Sequence, residues 1–448
     1  MLNNLYLTNS LSKKKEKFVP TNTHQNEVKM YVCGVTPYDY AHLGHGRCYT
    51  VFDLLYRLLK FMGYQVNYTR NFTDIDDKLI NKAQKELGDG LRYKEIADKF
   101  IEAYKEDMQN LNCLDPLHQP CVTDFMPQMI SFVQELINKN AAYAVDGDVY
   151  FKVNQAQDYG KLSHQNIEQL VAGSRVDVAE KKENPLDFAL WKKEKDNSYW
   201  QSPWGWGRPG WHLECSVLAK EHLGKHIDLH GGGLDLIFPH HENEVAQSEA
   251  LYGAPFAKYW VHNAFVQINN EKMSKSLGNF FTLKDIFKII DPMVLRYYFL
   301  THHHTAPLDF TQDDLKSTEK AYIRLVNLFK DAPVKVFTLQ EISNTEVAKL
   351  MLEALLDDLN VSVMIASIFS NINLLKENSK EAQAAKFILQ NIVGLTLKEI
   401  AEEQNITPEI QALLDEREMA RHNKDWQKAD KIREELIKMG IEVKDQKN

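Results

Sequence analysis

Four side chains from distant parts of the chain have the chemistry of a metal site. They are two cysteines, a histidine and a glutamate: Cys33, Cys215, His240 and Glu244. His240 and Glu244 follow Pro239 at a spacing that places both on one face of a helix. Two thiolates, an imidazole and a carboxylate suit a tetrahedral zinc ion. Each residue alone also has an ordinary interpretation, because a lone buried cysteine usually packs as a small hydrophobic group.

The segment around Cys33 also has the pattern of a phosphate-binding crevice. Residues 31–47 read YVCGVTPYDYAHLGHGR and predict a strand, a tight turn and the start of a helix. Helix N-termini that follow strands present free N–H groups and a positive dipole end, where phosphates bind. His42 and His45 lie at this position, and Gly44 between them lets a ligand approach the backbone. We therefore expect a nucleotide and a metal to share one crevice, although HLGH alone is a weak signal.

A lysine-rich segment far along the chain could serve the same nucleotide. Residues 272–276 read KMSKS and are followed by LGN. Lys272 and Lys275 on such a loop could close over a polyphosphate and stabilise developing charge. In isolation a solvated lysine loop is the commoner interpretation. Combined with HLGH more than 200 residues earlier, the motif is much more specific.

The elements that must position these residues alternate between strands and helices, which predicts a doubly wound parallel α/β sheet. The predicted strands are 30–32, 66–72, 226–230 and 259–266, and the predicted helices are 50–61, 93–112, 128–139, 213–223 and 241–251. A glycine turn is predicted at 231–233. Between the halves, an Asp146-Gly147 hairpin and a polar, lysine-rich stretch to residue 202 predict an insertion.

Beyond Asp291 the pattern predicts helices without strands, at 293–300, 315–330, 345–369 and 380–392. Near the C-terminus, basic residues recur at the spacing of one helical face: Arg417, Arg421, Lys424, Lys428 and Lys431. A solvated face balanced by acidic neighbours is the more ordinary interpretation of this stripe. Asp425 could instead cap a new helix and interrupt it.

Composition favours a globular protein of two or three domains. Of the 448 residues, 44% are hydrophobic and 26% charged, and no apolar run is long enough for a membrane span. The five cysteines lack paired spacing, so we expect reduced thiols in the cytoplasm rather than a disulfide framework. A net charge of −9 argues against a sequence-blind nucleic-acid coat but permits local basic tracks.

Together these motifs resemble the class I aminoacyl-tRNA synthetases, and specifically the cysteinyl-tRNA synthetase family. The resemblance runs from about residue 20 to 310 through YVCGVTPYDYAHLGHGR, NFTDIDDKLI, GSRVDVAEKKENPLDFALWK, RPGWHLECSVLA, DLHGGGLDLIFPHHENEVAQSEA and KMSKSLGN. LLDDLN and RHNKDWQKADKIREEL resemble the family's anticodon-binding end more weakly. The implied fold is a Rossmann-type catalytic domain with a connective insertion, followed by an all-α anticodon-binding domain.

The resemblance implies a function and residue roles. The reaction would be ATP-dependent formation of cysteinyl-adenylate, followed by transfer to the 3′ end of tRNA(Cys). One Zn²⁺ per chain would bind the substrate thiolate, and Mg²⁺ would accompany ATP. The two histidines and two lysines would serve catalysis, with His42, His45 and Lys275 on ATP. Gly34, Thr73, Trp211 and His230 would line the cysteine pocket, and Asp235 would contact the ribose.

Organisation and alternatives complete these expectations. The expected divisions are 1–115 and 204–266 for the catalytic halves, 116–203 for the insertion, 267–310 for the lysine-loop and stem-contact region, 311–400 for a helical bundle and 401–448 for the anticodon tail. We expect a monomer, because no heptad pattern is left over. One alternative function transfers cysteine to a small-molecule amine, as in the mycothiol-pathway ligase. Another is a non-catalytic tRNA-binding or structural-zinc protein.

Overall fold

The computed structural model describes residues 4–22, 26–156, 158–165, 181–253, 255–268, 271–272, 281–400, 408–422 and 425–438. It divides into two compact units, Met1–Leu397 (unit 1) and Lys398–Asn448 (unit 2). None of the helices among these described residues is both long and apolar enough to cross a membrane.

Unit 1 alternates strands with helices. Its strands in chain order are β1 (Tyr6–Asn9), β2 (Lys14–Lys17), β3 (Glu27–Val35), β4 (Gln65–Phe72), β5 (Ala142–Val145), β6 (Asp148–Phe151), β7 (Phe188–Lys193), β8 (Trp200–Ser202), β9 (Gly205–Pro209), β10 (Ile227–Gly233), β11 (Ala257–Asn263), β12 (Val266–Ile268), β13 (Glu271–Lys272) and β14 (Leu308–Phe310). Its α-helices are α1 (Leu43–Phe61), α2 (Asp77–Leu87), α3 (Tyr93–Asn110), α4 (Met126–Asn138), α5 (Trp211–Leu223), α6 (Glu242–Tyr252), α7 (Leu283–Ile286), α8 (Pro292–Thr301), α9 (Gln312–Phe329), α10 (Leu339–Ser343), α11 (Val347–Leu356), α12 (Val361–Ser370), α13 (Ile372–Glu377) and α14 (Ser379–Phe387).

A parallel sheet of four strands lies at the centre of unit 1, in the order β11-β10-β3-β4. Within this sheet, β3 comes first in the sequence. It is flanked by the next strand, β4, on one side and by the much later β10 on the other. In such doubly wound sheets ligands bind at the carboxyl ends of the strands where the winding direction changes. Here that point lies between β3 and β10, at the start of α1. The predicted parallel α/β fold is confirmed.

The triple glycine does not form the predicted turn, because Gly231, Gly232 and Gly233 are the last residues of β10 and pair with β11. The close packing of α1 against this strand explains why glycine occurs there. A Cβ on Gly231 would lie 2.3 Å from the ring of Phe52 on α1, so glycine allows the helix to pack against the strand.

The insertion is more regular than its sequence suggested. It forms a five-stranded antiparallel sheet in the order β5-β6-β7-β9-β8. The predicted hairpin joins β5 to β6, where Asp146 and Gly147 both have positive φ, 52° and 91°. The later strands were missed because they are short and lie in a lysine-rich sequence whose few apolar residues include the fully buried Trp191.

Two expectations for the helical region are wrong. β14 pairs in parallel with β12, so a strand does lie beyond Asp291. The single helix predicted over 345–369 is two helices, α11 and α12. They are separated at Asp358 and Leu359, which have positive φ of 63° and 58°. Asp358 is held there because its carboxylate accepts hydrogen bonds from the Thr8 backbone N–H and hydroxyl.

Unit 2 contains two helices, α15 (Pro408–His422) and α16 (Trp426–Lys438). Ile410, Ile432 and Leu436 pack between them. The Asp425 carboxylate accepts a hydrogen bond from the Lys428 N–H, so it caps the second helix and interrupts the basic stripe. Of the stripe residues, Arg417 is buried, and Lys424 lies outside the described residues.

Candidate active site and metal centre

A cleft of about 370 Å³ opens at the carboxyl ends of β3 and β10, beside the start of α1 (the ligand cleft). Predicted site residues on its wall are Cys33, Gly34, His42, His45, Trp211 and Asp235. Chain topology brings these together, because each lies at or just after the carboxyl end of a strand or at the start of a helix, all at one edge of the sheet.

Cys33, Cys215, His240 and Glu244 form a buried cluster whose donor atoms could hold a metal ion. The two Sγ atoms are 3.4 Å apart, and Cys33 Sγ is 3.5 Å from Glu244 Oε1. His240 Nε2 is 3.2 Å from the same oxygen. Four donors around zinc at its usual bond lengths have separations of about 3.3–3.8 Å. The measured separations are close to that range.

A second donor group, Cys33, His230, His241 and Glu244, shares two members with the first. His241 Nε2 lies 3.3 Å from Cys33 Sγ, and His230 Nε2 lies 2.9 Å from Glu244 Oε2. His230 thus contacts the carboxylate oxygen opposite to the one that faces Cys33 and His240. Contacts of this kind are typical of residues that orient metal ligands from behind. The first group also has two thiols rather than one, which suits zinc better.

More imidazoles support the cluster from behind. His240 Nδ1 is 3.1 Å from His212 Nδ1, and the His240 ring is stacked on Trp211 with centroids 4.2 Å apart. On the other side, His241 Nδ1 is 2.8 Å from His262 Nε2. Burial lowers the pKa of His212 to about 4 and those of His230 and His262 to about 3. These rings are therefore neutral at physiological pH.

The pKa values of the two thiols and the carboxyl group in the cluster are raised, whereas those of the histidines are lowered. Burial, together with the neighbouring Cys215, raises the pKa of the Cys33 thiol well above its usual value. Burial also raises the pKa of the Cys215 thiol and, strongly, that of the Glu244 carboxyl. Three groups that can each carry a negative charge are thus confined together, and burial lowers the pKa values of His230, His240 and His241 beside them, so these imidazoles supply no compensating charge. A bound cation would supply the missing positive charge, so the residues present fit a divalent metal.

His42 and His45 begin α1 and cap each other. His42 is the N-cap residue and its Nδ1 accepts from the His45 N–H, while His45 Nδ1 accepts from the His42 N–H, both at 3.4 Å. The two rings stack with centroids 3.7 Å apart. Burial, followed by the charges of His42 and Lys78, lowers the pKa of His45. His45 therefore faces the cleft as a neutral hydrogen-bonding group, and both rings lie beside the positive end of the helix dipole.

The expected pocket residues occupy two layers. Gly34 and Trp211 line the cleft, and a Cβ on Gly34 would lie 1.5 Å from the Asn71 carbonyl oxygen. Thr73 and His230 are buried behind the lining residues. The Thr73 hydroxyl donates to Glu214 at 3.0 Å. Sequence reasoning therefore did not separate residues at the wall from residues that support it.

Asp235 lies at the predicted site, whereas most of the lysine motif lies outside the described residues. Asp235 lies on the cleft wall in the short turn Leu234–Leu236. The backbone of Lys272 ends β13, which pairs with β12. The Lys272 side chain and all of Lys275 lie outside the described residues.

Sequence reasoning missed several residues at the cleft. Lys78 lines it, with Nζ 5.1 Å from the centre of the Tyr38 ring. Asn263, which is 4% exposed, also lines it, and its Oδ1 has no hydrogen-bond partner among the described residues. Asn71 accepts from the Gly34 N–H at 2.9 Å and from the Tyr31 hydroxyl at 3.1 Å. The available signal was position, since Asn71 and Asn263 both lie at carboxyl ends of strands.

Comparison with known proteins identifies the relationships of both units. Residues 19–320 match the class I (C) tRNA synthetase catalytic domain, and residues 403–448 match the cysteinyl-tRNA ligase anticodon binding domain. A cysteine–tRNA ligase from Geobacillus sp. strain WCH70 is 45% identical, and the alignment covers 99% of this chain and 98% of that protein. One from Endomicrobium trichonymphae is 44% identical, with 98% and 97% covered.

Solved structures support the same fold. Mycobacterium tuberculosis methionyl-tRNA synthetase in complex with methionyl-adenylate superposes with a TM-score of 0.57 at 13% identity, covering 82% of this chain and 89% of that chain. The LeuRS–tRNA–LeuAMS ternary complex from Agrobacterium radiobacter K84 gives 0.57 at 11% identity, with 84% and 85% covered. At these identities the likeness concerns the fold, which is that of the class I enzymes.

Proposed function

The chain belongs to the cysteine–tRNA ligase family of class I aminoacyl-tRNA synthetases, and we propose that its buried Cys/His/Glu cluster holds a zinc ion that selects cysteine. The enzyme activates L-cysteine with ATP to cysteinyl-adenylate, with release of pyrophosphate, and then transfers the cysteinyl group to the 3′ end of tRNA(Cys). Membership of the anticodon-binding family by residues 403–448 favours tRNA over a small amine as acceptor and over a non-catalytic role.

The proposed roles at the nucleotide end follow from what adenylation requires. The substrate carboxylate attacks the α-phosphate and pyrophosphate leaves, so the protein needs to align the two reactants and stabilise spreading charge. His42 and His45 would donate hydrogen bonds to phosphate at the helix N-terminus. Lys78 would supply a fixed positive charge on the same wall. Lys272 and Lys275 would contact the pyrophosphate, with ATP entering as its Mg²⁺ complex.

At the amino-acid end the difficulty is to reject serine. An apolar pocket rejects so close an isostere by only about 100-fold. A zinc ion on Cys33, Cys215, His240 and Glu244 would supply a soft Lewis-acidic site that favours a thiolate over a hydroxyl. Trp211 and Gly34 would shape the pocket wall, Thr73 and His230 would hold it from behind, and Asp235 would contact the ribose.

The observation that carries this proposal is the convergence of four buried donor atoms from three chain segments beside the ligand cleft. The test measures zinc content and the ratio of cysteine- to serine-dependent ATP–pyrophosphate exchange. Cys215→Ser and His240→Ala should lose zinc and lower that ratio at least tenfold. Cys121→Ser removes a cysteine outside the cluster and is the matched control. Full preference for cysteine in both cluster variants would disprove the zinc role.

The proposal extends to the organisation of the enzyme. We propose the catalytic halves, insertion, stem-contact region, bundle and anticodon tail with the boundaries given above. We also propose a cytoplasmic monomer. The five cysteines are free thiols, which supports a reducing compartment. Sedimentation of the purified protein would test the monomer.

A further inference from the structure

Four charged side chains join the sheet of the insertion to the start of α2 (the insertion clamp). Arg208, near the end of β9, donates hydrogen bonds to Asp77 on α2 and, from Nε at 2.8 Å, to Glu194. Lys192 on β7 donates to the other carboxylate oxygen of Asp77 at 2.9 Å. The Arg208 side chain is 8% exposed, so two carboxylates hold its charge away from water. Burial acts to raise the pKa of Asp77, but the contacts with Lys192 and Arg208 lower it below the ordinary value, so this carboxyl group is ionised at neutral pH.

The insertion clamp meets α2 beside a residue of the ligand cleft. Asp77 is the first residue of α2, and the next residue, Lys78, lines the cleft. Burial and then the charges of His42 and Lys78 lower the pKa of His45. The Lys78 ammonium group is therefore close enough to the histidine pair to act on the same phosphate groups.

The apolar packing of α2 does little to fix its first turn. Two of its eleven residues are buried, Leu79 and Ala83, and both pack in a small cluster with α3. In α5, by comparison, eight of thirteen residues are buried. The position of the first turn of α2 therefore depends on polar contacts, and the insertion clamp supplies them from another part of the fold.

The other side of the clamp leads directly to the amino-acid end of the cleft. Arg208 is followed by Pro209 and Gly210, and α5 begins with Trp211 on the cleft wall. A Cβ on Gly210 would lie 1.9 Å from the Ala189 carbonyl oxygen, so this connection packs tightly against β7. The side chain that holds Asp77 thus lies three positions before the wall of the pocket, on a backbone with little freedom to move.

We propose that the insertion clamp positions Lys78, at the phosphate end of the cleft, relative to Trp211, at the amino-acid end, for the adenylation step. Attack of the substrate carboxylate on the α-phosphate requires both reactants to be aligned, and a displacement of about 1 Å can lower the rate on the order of 100-fold. The inference rests on the proposed function, because it concerns the step that joins the two substrates. Arg208 and Asp77 are not among the described residues that line the cleft, so they are positioning residues that act through Lys78.

The test measures cysteine-dependent ATP–pyrophosphate exchange by the full chain and by the variants Asp77→Asn and Arg208→Gln. These substitutions remove opposite charges, so an effect of charge through space would have opposite signs in the two variants. Loss of position should instead lower kcat/KM for ATP in both variants by about tenfold, through the same constant that Lys78→Met changes. Lys181→Gln removes an ion pair with Asp148 inside the insertion sheet and is the matched control, which should exchange like the wild type.

A second comparison shows whether the clamp acts through Lys78. In a Lys78→Met background, Asp77→Asn and Arg208→Gln should each cost less than about twofold, because the lysine that they position is already gone. The Asp77 side chain is 53% exposed, and exposed ion pairs add little to stability. Asp77→Asn should therefore keep the zinc content and the urea midpoint of the wild type, which separates a positioning role from a general structural one.

The contrary outcomes differ from one another. Opposite effects of Asp77→Asn and Arg208→Gln would overturn the positioning role and show that only their charges matter. Losses that persist undiminished in the Lys78→Met background would also overturn it, as would unchanged exchange in both variants. A wild type that shows no cysteine-dependent exchange would contradict adenylation itself and this inference with it, whereas normal exchange in the wild type and in both variants overturns the insertion clamp alone.

Discussion

Zinc binding to the chelator-stripped protein should release about three protons at neutral pH, because the buried thiols and carboxyl group of the cluster must all lose theirs. The expectation depends on Cys33, Cys215 and Glu244, whose pKa values are all raised by burial. The pKa of His240 is lowered by burial, so this ligand is already neutral and contributes no proton.

The expected number of protons follows from the distances within the cluster. Two negative charges 3.4 Å apart, the distance between the two Sγ atoms, repel by about 5 kcal/mol at an effective dielectric constant of about 20. Repulsion of this size opposes the ionisation of both thiols together, and burial disfavours each charged form further. The metal-free cluster should therefore hold a proton on each of the three groups. In an unperturbed site the glutamate would already be ionised at neutral pH, and only about two protons would be released.

Titration calorimetry with zinc in buffers of different ionisation enthalpy measures this number directly. Glu244→Gln and Cys215→Ser should each lower the count by about one and weaken zinc binding, whereas Cys121→Ser should leave both unchanged. A wild-type count of two, equal to that of Glu244→Gln, would refute the reasoning for the carboxyl group. A count near zero would refute it for the thiols as well.

Three further predictions concern the ligand cleft and the buried carboxyl group of Asp107. Gly34→Ala places a Cβ 1.5 Å from the Asn71 carbonyl oxygen, so it should lower the unfolding free energy by about 3 kcal/mol and abolish adenylation. Urea titration and pyrophosphate exchange would measure the two effects. Lys78→Met should raise the KM for ATP or lower kcat in pyrophosphate exchange by about tenfold. Lys82→Met, one turn further along α2 and paired with acidic neighbours, should change neither constant, and equal behaviour of the two variants would exclude Lys78 from the phosphate site. Folding favours the protonated Asp107 carboxyl, because its pKa of about 7 lies above the ordinary aspartate value of 3.8. Stability should therefore fall by up to about 4 kcal/mol as the pH rises between these values, and an equally steep fall in Asp107→Asn would refute this.

Much of the fold was accessible from the sequence because the relevant signals are local. Strand–helix alternation predicted the parallel sheet, and Asp146-Gly147 predicted the hairpin that joins β5 to β6. Errors arose where a distant contact overrides a local pattern. Asp358 interrupts a predicted helix because it binds Thr8, which lies 350 positions away in the sequence.

The sequence alone determined the strand–helix alternation of the central parallel sheet, the family and the residue types available for a metal, since periodicity and motif spacing survive in one dimension. Only the tertiary structure showed that His240 and His241 both lie at the thiols and carboxyl group of the cluster, with His241 Nε2 3.3 Å from Cys33 Sγ, and that His230 contacts the far side of Glu244. It also revealed Lys78, Asn263 and Asp107 as residues at cavities. Ligation and hydrogen bonding require atoms within about 3–4 Å of one another. Separations of that size are set by the packing of remote segments, which no local pattern encodes.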